Sequence, residues 1–261
     1  MPPKRKAEMD DIVQSRIIKF IVGKGQVECN IHEAVIINLS DPLRALVTNG
    51  MRESIEAKVA WEDVEMSTFT KFSQFAYEHD YTIIDPEEEK SDTAGFFTIN
   101  EIISRAKSRK NGWRTTFLEE FMAEYLGEEG NDAFVDWEKK ARFHSHAQYM
   151  SHAQLYILAD CYAISGLVSL SVQKIREMLV NNPLDRNIFD TVWRLLGFVW
   201  TRTTSEDKLR KLLLQFLLLD LEDALNSPEA AHVCANTPEI AAALMLTPSI
   251  SHWSNISIGY E

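Results

Sequence analysis

The hydrophobic period of this chain changes at His32, and that change limits the folds open to it. Before it, Ile17, Ile18, Phe20, Ile21 and Val22 form a β-branched and aromatic run closed by Gly23-Lys24-Gly25. Behind the turn, Val27, Cys29 and Ile31 alternate with polar residues. Two short strands joined by a glycine turn are predicted. Beyond His32, apolar residues recur three and four apart, the spacing of amphipathic helices. One hairpin followed by many helices calls for an α+β fold, a small sheet with helices packed on it.

Ala34, Val35 and Ile36 through Leu39 predict a short helix. Ser40-Asp41 then cap a second one with Pro42 in its first turn, Leu43 and Leu46 on one face and Gly50 as its stop. A strand is expected around Ala57 to Trp61. Ser67-Thr68 open a helix whose Phe69, Phe72, Phe75 and Ala76 stripe belongs to the core. The character shifts at Asp85-Pro86-Glu87-Glu88-Glu89, an acidic linker. A basic segment from Arg105 to Arg114 follows, then Phe117, Phe121 and Tyr125 on one helical face. Pattern returns at Ala153, with Leu155, Leu158, Ala159 and Tyr162 on a helix broken by Ser165-Gly166. Val168, Val172, Ile175 and Leu179 mark the next helix. Past Pro183, Ile188, Val192 and Leu195 predict one more. After caps at Thr204-Ser205, Leu209, Leu212, Leu213, Phe216 and Leu217 predict another, and Glu239 to Leu246 add a turn or two. From Thr247 the end is expected to fray.

Composition narrows the function classes. Lys and Arg number 27 against 39 Asp and Glu, a net charge of −12. That balance argues against a general nucleic-acid binder, which needs a basic face, and favours protein partners. Cys29, Cys161 and Cys234 form no C-x-x-C pair and are odd in number; small buried side chains in a reducing compartment are expected. The start, Met1-Pro2-Pro3-Lys4-Arg5-Lys6, has no apolar segment behind it, so no secretory signal is expected. The greasiest run, Leu212 to Leu219, is too short to span a bilayer. Nucleus, cytoplasm or both are the expected compartments, with Lys4, Arg5 and Lys6 as a candidate nuclear import signal.

The ordered blocks resemble a BTB/POZ domain of the fungal type. The matching stretches are the hairpin, His32 opening the first helix, Ser40-Asp41-Pro42-Leu43, Thr48 to Ser54, Val59 to Val64 and Phe69 to Tyr77. His152 to Tyr162 is similar to the family's next helix and Leu167 to Leu179 to its partner. Phe198 to Thr203 with Asp207 to Arg210 is similar to the helical extension of that fungal group. The resemblance implies a flexible tail over 1–15, a first part of the BTB/POZ core over 16–84 and an insertion, partly disordered, over 85–146. The closing helices of the core then occupy 147–182, and a helical C-terminal extension occupies 183–261. It further implies a protein-interaction role, often as a homodimer, with some members bridging substrates to cullin-based ubiquitin ligases. Arg16 and Ile17 stand where members with a charged dimer pocket carry an acidic residue, and the N-terminal tail is short and polar. Both weigh against a homodimer, and the resemblance weighs for it.

Two residues are the candidate docking site. Met51 and Glu53 match the apolar-x-Glu pattern that cullin-binding members show after the second helix, Met51 filling a pocket and Glu53 making a charge-assisted hydrogen bond. The competing local account has Met51 packing back on a helix capped by Gly50 and Glu53 solvated. His144, His146 and His152 have spacings of two and six, unlike metal ligands on one helix face, and are expected to be solvated or hydrogen-bonded. His32 reads as a packed or capping residue. The Arg105–Arg114 segment reads as solvated or paired with the acidic linker. No nucleophile elbow or zinc-helix pattern occurs, so neither catalysis nor a cofactor is expected.

Overall fold

The computed structural model describes residues 9–83, Phe121, 144–182, Leu184 and 186–247. The fold is α+β, and the chain divides into two compact units. The first is Met1–Pro86 with Ser151–Ser171, the second Glu87–Met150 with Val172–Glu261.

In the first unit, β1 (Ile17–Val22) pairs antiparallel with β2 (Val27–His32) and parallel with β3 (Lys58–Trp61), giving the strand order β2-β1-β3. Gly23 turns the hairpin at a φ of +67°, and its carbonyl accepts the Gln26 amide at 3.0 Å. Alternation sends Ile18, Phe20, Val22, Ile31, Val59 and Trp61 to one face of the sheet, where all are buried. Helices α2 (Glu33–Ile37), α3 (Asp41–Thr48) and α4 (Arg52–Glu56) lie between β2 and β3, and α5 (Met66–Glu78) follows. Phe69, Phe72 and Phe75 of α5 join the same core, and Trp61 sits at its centre. The Trp61 ring lies 4.9 Å from Phe20, 5.1 Å from Phe72 and 4.9 Å from Tyr162. Ser40 caps α3 by accepting the Leu43 amide at 3.2 Å, and Gly50 takes the left-handed position beyond its end.

Several sequence expectations shift. Helix α1 (Met9–Gln14) stands where a flexible tail was expected, because Ile12 packs on the core and Ser15 bridges the Ile12 carbonyl and the Ala34 amide. Helix α5 begins after Glu65, which leaves Ser67 and Thr68 inside it; Thr68 is buried rather than capping.

Helices α6 (His146–Cys161) and α7 (Ser165–Asn181) contribute residues to both units. A capping box starts α6 seven residues ahead of Ala153: the Ser145 hydroxyl accepts the Gln148 amide and Gln148 accepts the Ser145 amide. Its C-terminus is a Schellman motif, with Ile164 N–H donating to Ala159 and Ala163 N–H to Asp160. Ala163, at φ +52°, therefore makes the break expected at Ser165-Gly166. Those two residues open α7, and Gly166 leaves room for Phe75, 3.5 Å from where a Cβ would stand.

The rest of the second unit holds α8 (Arg186–Trp200), α9 (Lys208–Leu219), α10 (Leu221–Leu225), α11 (Pro228–Asn236) and α12 (Pro238–Leu246). Ile188, Val192 and Leu195 are buried, as are Leu209, Leu212, Leu213, Phe216 and Leu217. Asp207, rather than Thr204-Ser205, caps α9 by accepting the Arg210 amide at 2.9 Å. Trp193 anchors α10 through a 2.8 Å bond from its indole N–H to the Ala224 carbonyl. The expected fraying end, like the 85–143 stretch apart from buried Phe121, lies outside the described residues. All three cysteines are free, but none is fully buried and Cys161 is exposed, contrary to the sequence expectation.

Candidate protein-docking surface

The segment after α3 forms a small helix of its own because its backbone groups find local partners. Asn49 Oδ1 accepts the Met51 amide at 2.8 Å, and Met51 is extended, so it serves as N-cap residue. Its carbonyl accepts the Ile55 amide at 3.0 Å and the Ser54 hydroxyl at 2.9 Å. Ser54 is buried and pins the helix, and Ala57, at φ +51°, turns the chain into β3.

This pinned helix presents its apolar side chains outward. Met51 is 64% exposed and Ile55 is 74% exposed. Met51 stands at the extended N-cap and Ile55 in the helix one turn further on, so this short segment offers both apolar side chains to solvent. Met51 therefore does not pack back on α3, which removes the local explanation for an apolar residue there. Glu53 lies between them in the first turn, half-buried and with no ion pair among the described residues, whereas Arg52 pairs with Glu56 at 2.9 Å. The result is an apolar pair with one uncompensated carboxylate.

Arg16 holds this surface in place, a role that nothing in its sequence context marks. Its guanidinium donates to the Val47 carbonyl at 2.8 Å, the Ser54 carbonyl at 2.7 Å and the Glu33 carboxylate at 2.6 Å. One side chain at the start of β1 thus ties together α2, α3 and α4. A second apolar surface lies nearby in sequence, where Met9 and Val13 of α1 and Ile17 of β1 are exposed.

The histidines serve separate structures. His32 Nδ1 lies 2.8 Å from the Tyr77 hydroxyl, which also accepts the His32 amide. His152 is buried with Tyr81 and Ser171; the Tyr81 hydroxyl is 2.6 Å from His152 Nδ1 and 3.3 Å from Ser171 Oγ. Burial pushes the Tyr81 hydroxyl well above its ordinary pKa, with the Ser171 bond opposing. This network is closed to solvent and cross-links the chain beyond α5 to α6 and α7. The His144 amide donates to Asn182 Oδ1 at 2.8 Å. His146 lies near Arg194 and Glu229, and burial, reinforced by Arg194, lowers its pKa. Among the described residues, no three His, Cys, Asp or Glu side chains are arranged to hold a metal ion.

No protein-family model matches the chain, and no curated protein matches it.

Among the described residues, no helix is long and apolar enough to cross a membrane. Lys4, Arg5 and Lys6 and the Arg105–Arg114 segment lie outside the described residues. Of the residues that matter here, sequence singles out Met51 and Glu53, notes Arg16 only as standing where an acidic residue would line a dimer pocket, and passes over Ile55 and Tyr81. Ile55, four residues beyond Met51, was there to be found by helical spacing; Arg16 and Tyr81 act through partners distant in sequence.

Proposed function

We propose that this chain is a non-catalytic protein-interaction module of the BTB/POZ type. The observation that carries the reading is the exposed Met51–Ile55 pair on a helix anchored by buried Ser54 and by Arg16. Solvent exposure of two large apolar side chains on a rigid element is a cost unless a partner covers them, and such pairs are the anchors of protein interfaces. The family reading is further supported by the order of elements. The quoted blocks fall on the hairpin β1–β2, on α2, on α3 and α4, on β3, on α5, and on α6 and α7.

Self-association and cullin binding are the two forms this role takes. Glu53 favours the second, a substrate adaptor, because an uncompensated carboxylate beside an apolar anchor suits a partner pocket with a basic or amide rim. The decisive experiment titrates the purified chain with a cullin N-terminal domain, alongside Met51→Asp and Glu53→Ala. Binding that weakens about tenfold or more in each variant, with unchanged circular dichroism, is expected of an adaptor. No binding at tens of micromolar leaves the scaffold reading, which sedimentation of wild type against a Met9→Asp, Val13→Asp double variant then tests. A monomeric wild type that binds neither itself nor the cullin domain sinks both forms.

A further inference from the structure

Asn49 and Gly50 join α3 to α4, and both are exposed. Asn49 is the C-cap residue of α3, its amide donating to the Ala45 carbonyl at 3.0 Å. Its side chain serves the next helix instead. Oδ1 accepts the Met51 amide at 2.8 Å, an Asx turn that positions the N-cap residue of α4. Asn49 Nδ2 makes no hydrogen bond among the described residues, and neither does the Gly50 amide. Gly50 sits at φ +79°, and nothing stands within 4 Å of where a Cβ would be.

Other asparagines near helix ends use their side-chain amides the opposite way. Asn38, Asn181 and Asn236 each donate Nδ2 to the carbonyl four residues back, at 2.7, 2.8 and 2.9 Å. Each is followed by a residue with a side chain of its own, Leu39, Asn182 and Thr237. Of these four asparagines, only Asn49 combines a carbonyl polarised by a donor, an amide group free to leave and an unhindered main-chain nitrogen next in the chain. Those are the electrophile, leaving group and nucleophile that let an asparagine side chain close onto its own backbone. Glycine serves that closure best, since no Cβ shields its nitrogen and its backbone turns freely.

We propose that Asn49 is a site of spontaneous deamidation whose isoaspartyl product releases the start of α4. Base in solution takes the Gly50 amide proton, and the nitrogen attacks Asn49 Cγ; the new C–N bond closes a succinimide ring. The Cγ–Nδ2 bond then breaks, and ammonia departs with that electron pair and a proton from water. Water opens the ring at either carbonyl. Opening at Cγ leaves an ordinary aspartate, whose carboxylate still accepts the Met51 amide. Opening at the main-chain carbonyl leaves an isoaspartate: the backbone now runs through the former side chain, one carbon longer, and the Met51 amide loses its partner. That product loosens α4 and with it the Met51–Ile55 surface, a bearing on docking that rests on the function proposed above.

The test ages the folded, full chain in mildly alkaline buffer, digests it with trypsin and reads the peptide Ala45–Arg52, which cleavage after Arg44 and Arg52 delimits. The mass gain of an amide turned acid is expected at Asn49, with the isoaspartyl form detected by its enzymatic methylation. Asn49 in the folded chain is expected to convert within about tenfold of its rate in urea, since the junction needs little opening to close the ring. Asn111-Gly112, the same dipeptide elsewhere in the chain, monitors the chemistry. An Asn49 that stays amidated while Asn111 converts, or that converts only in urea, overturns the proposal. Trypsin cleavage after Arg52 in the native chain reports on α4. It is expected to quicken in isoaspartyl-containing protein and to stay unchanged in Asn49→Asp; equal cleavage of fresh and aged chains overturns the release of α4. Neither readout needs a partner, so failure of docking to a cullin domain and failure of this proposal are separate results.

Discussion

Arg16 in the first unit and Arg210 in the second both donate to main-chain carbonyls where helices end, but their charge is balanced differently. Arg16 is accessible to solvent and adds a carboxylate, Glu33 at 2.6 Å, to its two carbonyl partners. Arg210 is buried and makes no ion pair among the described residues; the carbonyls of Trp200 and Thr203, the Thr203 hydroxyl and the face of Trp200 hold it, and the nearby Asp207 carboxylate favours its charge. The first unit thus keeps the Arg16 charge near water and buries a hydrogen-bonded Tyr81–His152–Ser171 network. The second unit buries charge itself. Removing a partner from a buried, hydrogen-bonded charge leaves several groups unsatisfied, whereas an accessible pair is replaced by water. The two units should therefore respond very differently to the loss of one polar side chain.

Arg210→Met is the largest break. It strips the Trp200 and Thr203 carbonyls of their donor and is expected to cost about 3 kcal/mol in denaturant unfolding. Arg210→Lys is expected to recover little of that loss, since an ammonium cannot span three acceptors and stack at once. Next comes Tyr81→Phe in the first unit, at about 2 kcal/mol, because His152 and Ser171 lose a shared buried partner. Arg16→Met is expected to cost about 1 kcal/mol, and less at high salt, where the exposed Glu33 pair is screened. An Arg16 variant as damaging as the Arg210 variant, and equally indifferent to salt, would remove the distinction between the units.

What the sequence discloses follows from how local each determinant is. The hairpin announces itself because alternation, β-branching and a glycine turn coincide within sixteen residues, from Ile17 to His32. The Phe69, Phe72 and Phe75 stripe and the leucines of α9 are equally plain. Helix α4 escapes because five residues hold no full period, and α11 because Pro228 to Asn236 buries only one alanine and one valine. The caps at Glu65 and Asp207 lie two residues from the serine and threonine pairs that look more suitable, since the chain's path into each helix decides which residue comes first. Met51 and Glu53 are visible as a pattern, but their exposure depends on Ser54 and Arg16 holding α4 from behind. Ala163 is the least visible of these. A glycine three residues later looks like the natural stop, yet an alanine takes the left-handed position. Ala163→Gly should accordingly stabilise the end of α6 by up to about 1 kcal/mol, seen as a raised unfolding midpoint.

The smallest expected effect is one of pH, and it belongs to the second unit. His146 Nδ1 is buried without a hydrogen-bond partner, and the ring faces the Arg194–Glu229 ion pair, whose closest approach is 2.6 Å. Burial and Arg194 lower its pKa, and Glu229 only partly offsets them. Between the lowered folded value and the ordinary imidazole value of about 6.5, the unfolded chain binds more protons than the folded one. The stabilising contribution is thus complete above about pH 6.5 and is lost as pH falls through the folded value. Glu229, which its bond from Arg194 holds below the ordinary carboxylate range, titrates further down and does not confuse this window. Melting midpoints measured from about pH 7 to about pH 5.5 should therefore fall more steeply in wild type than in His146→Gln. Parallel curves would mean that a solvent path reaches Nδ1, and the second unit would then treat its buried groups much as the first one does.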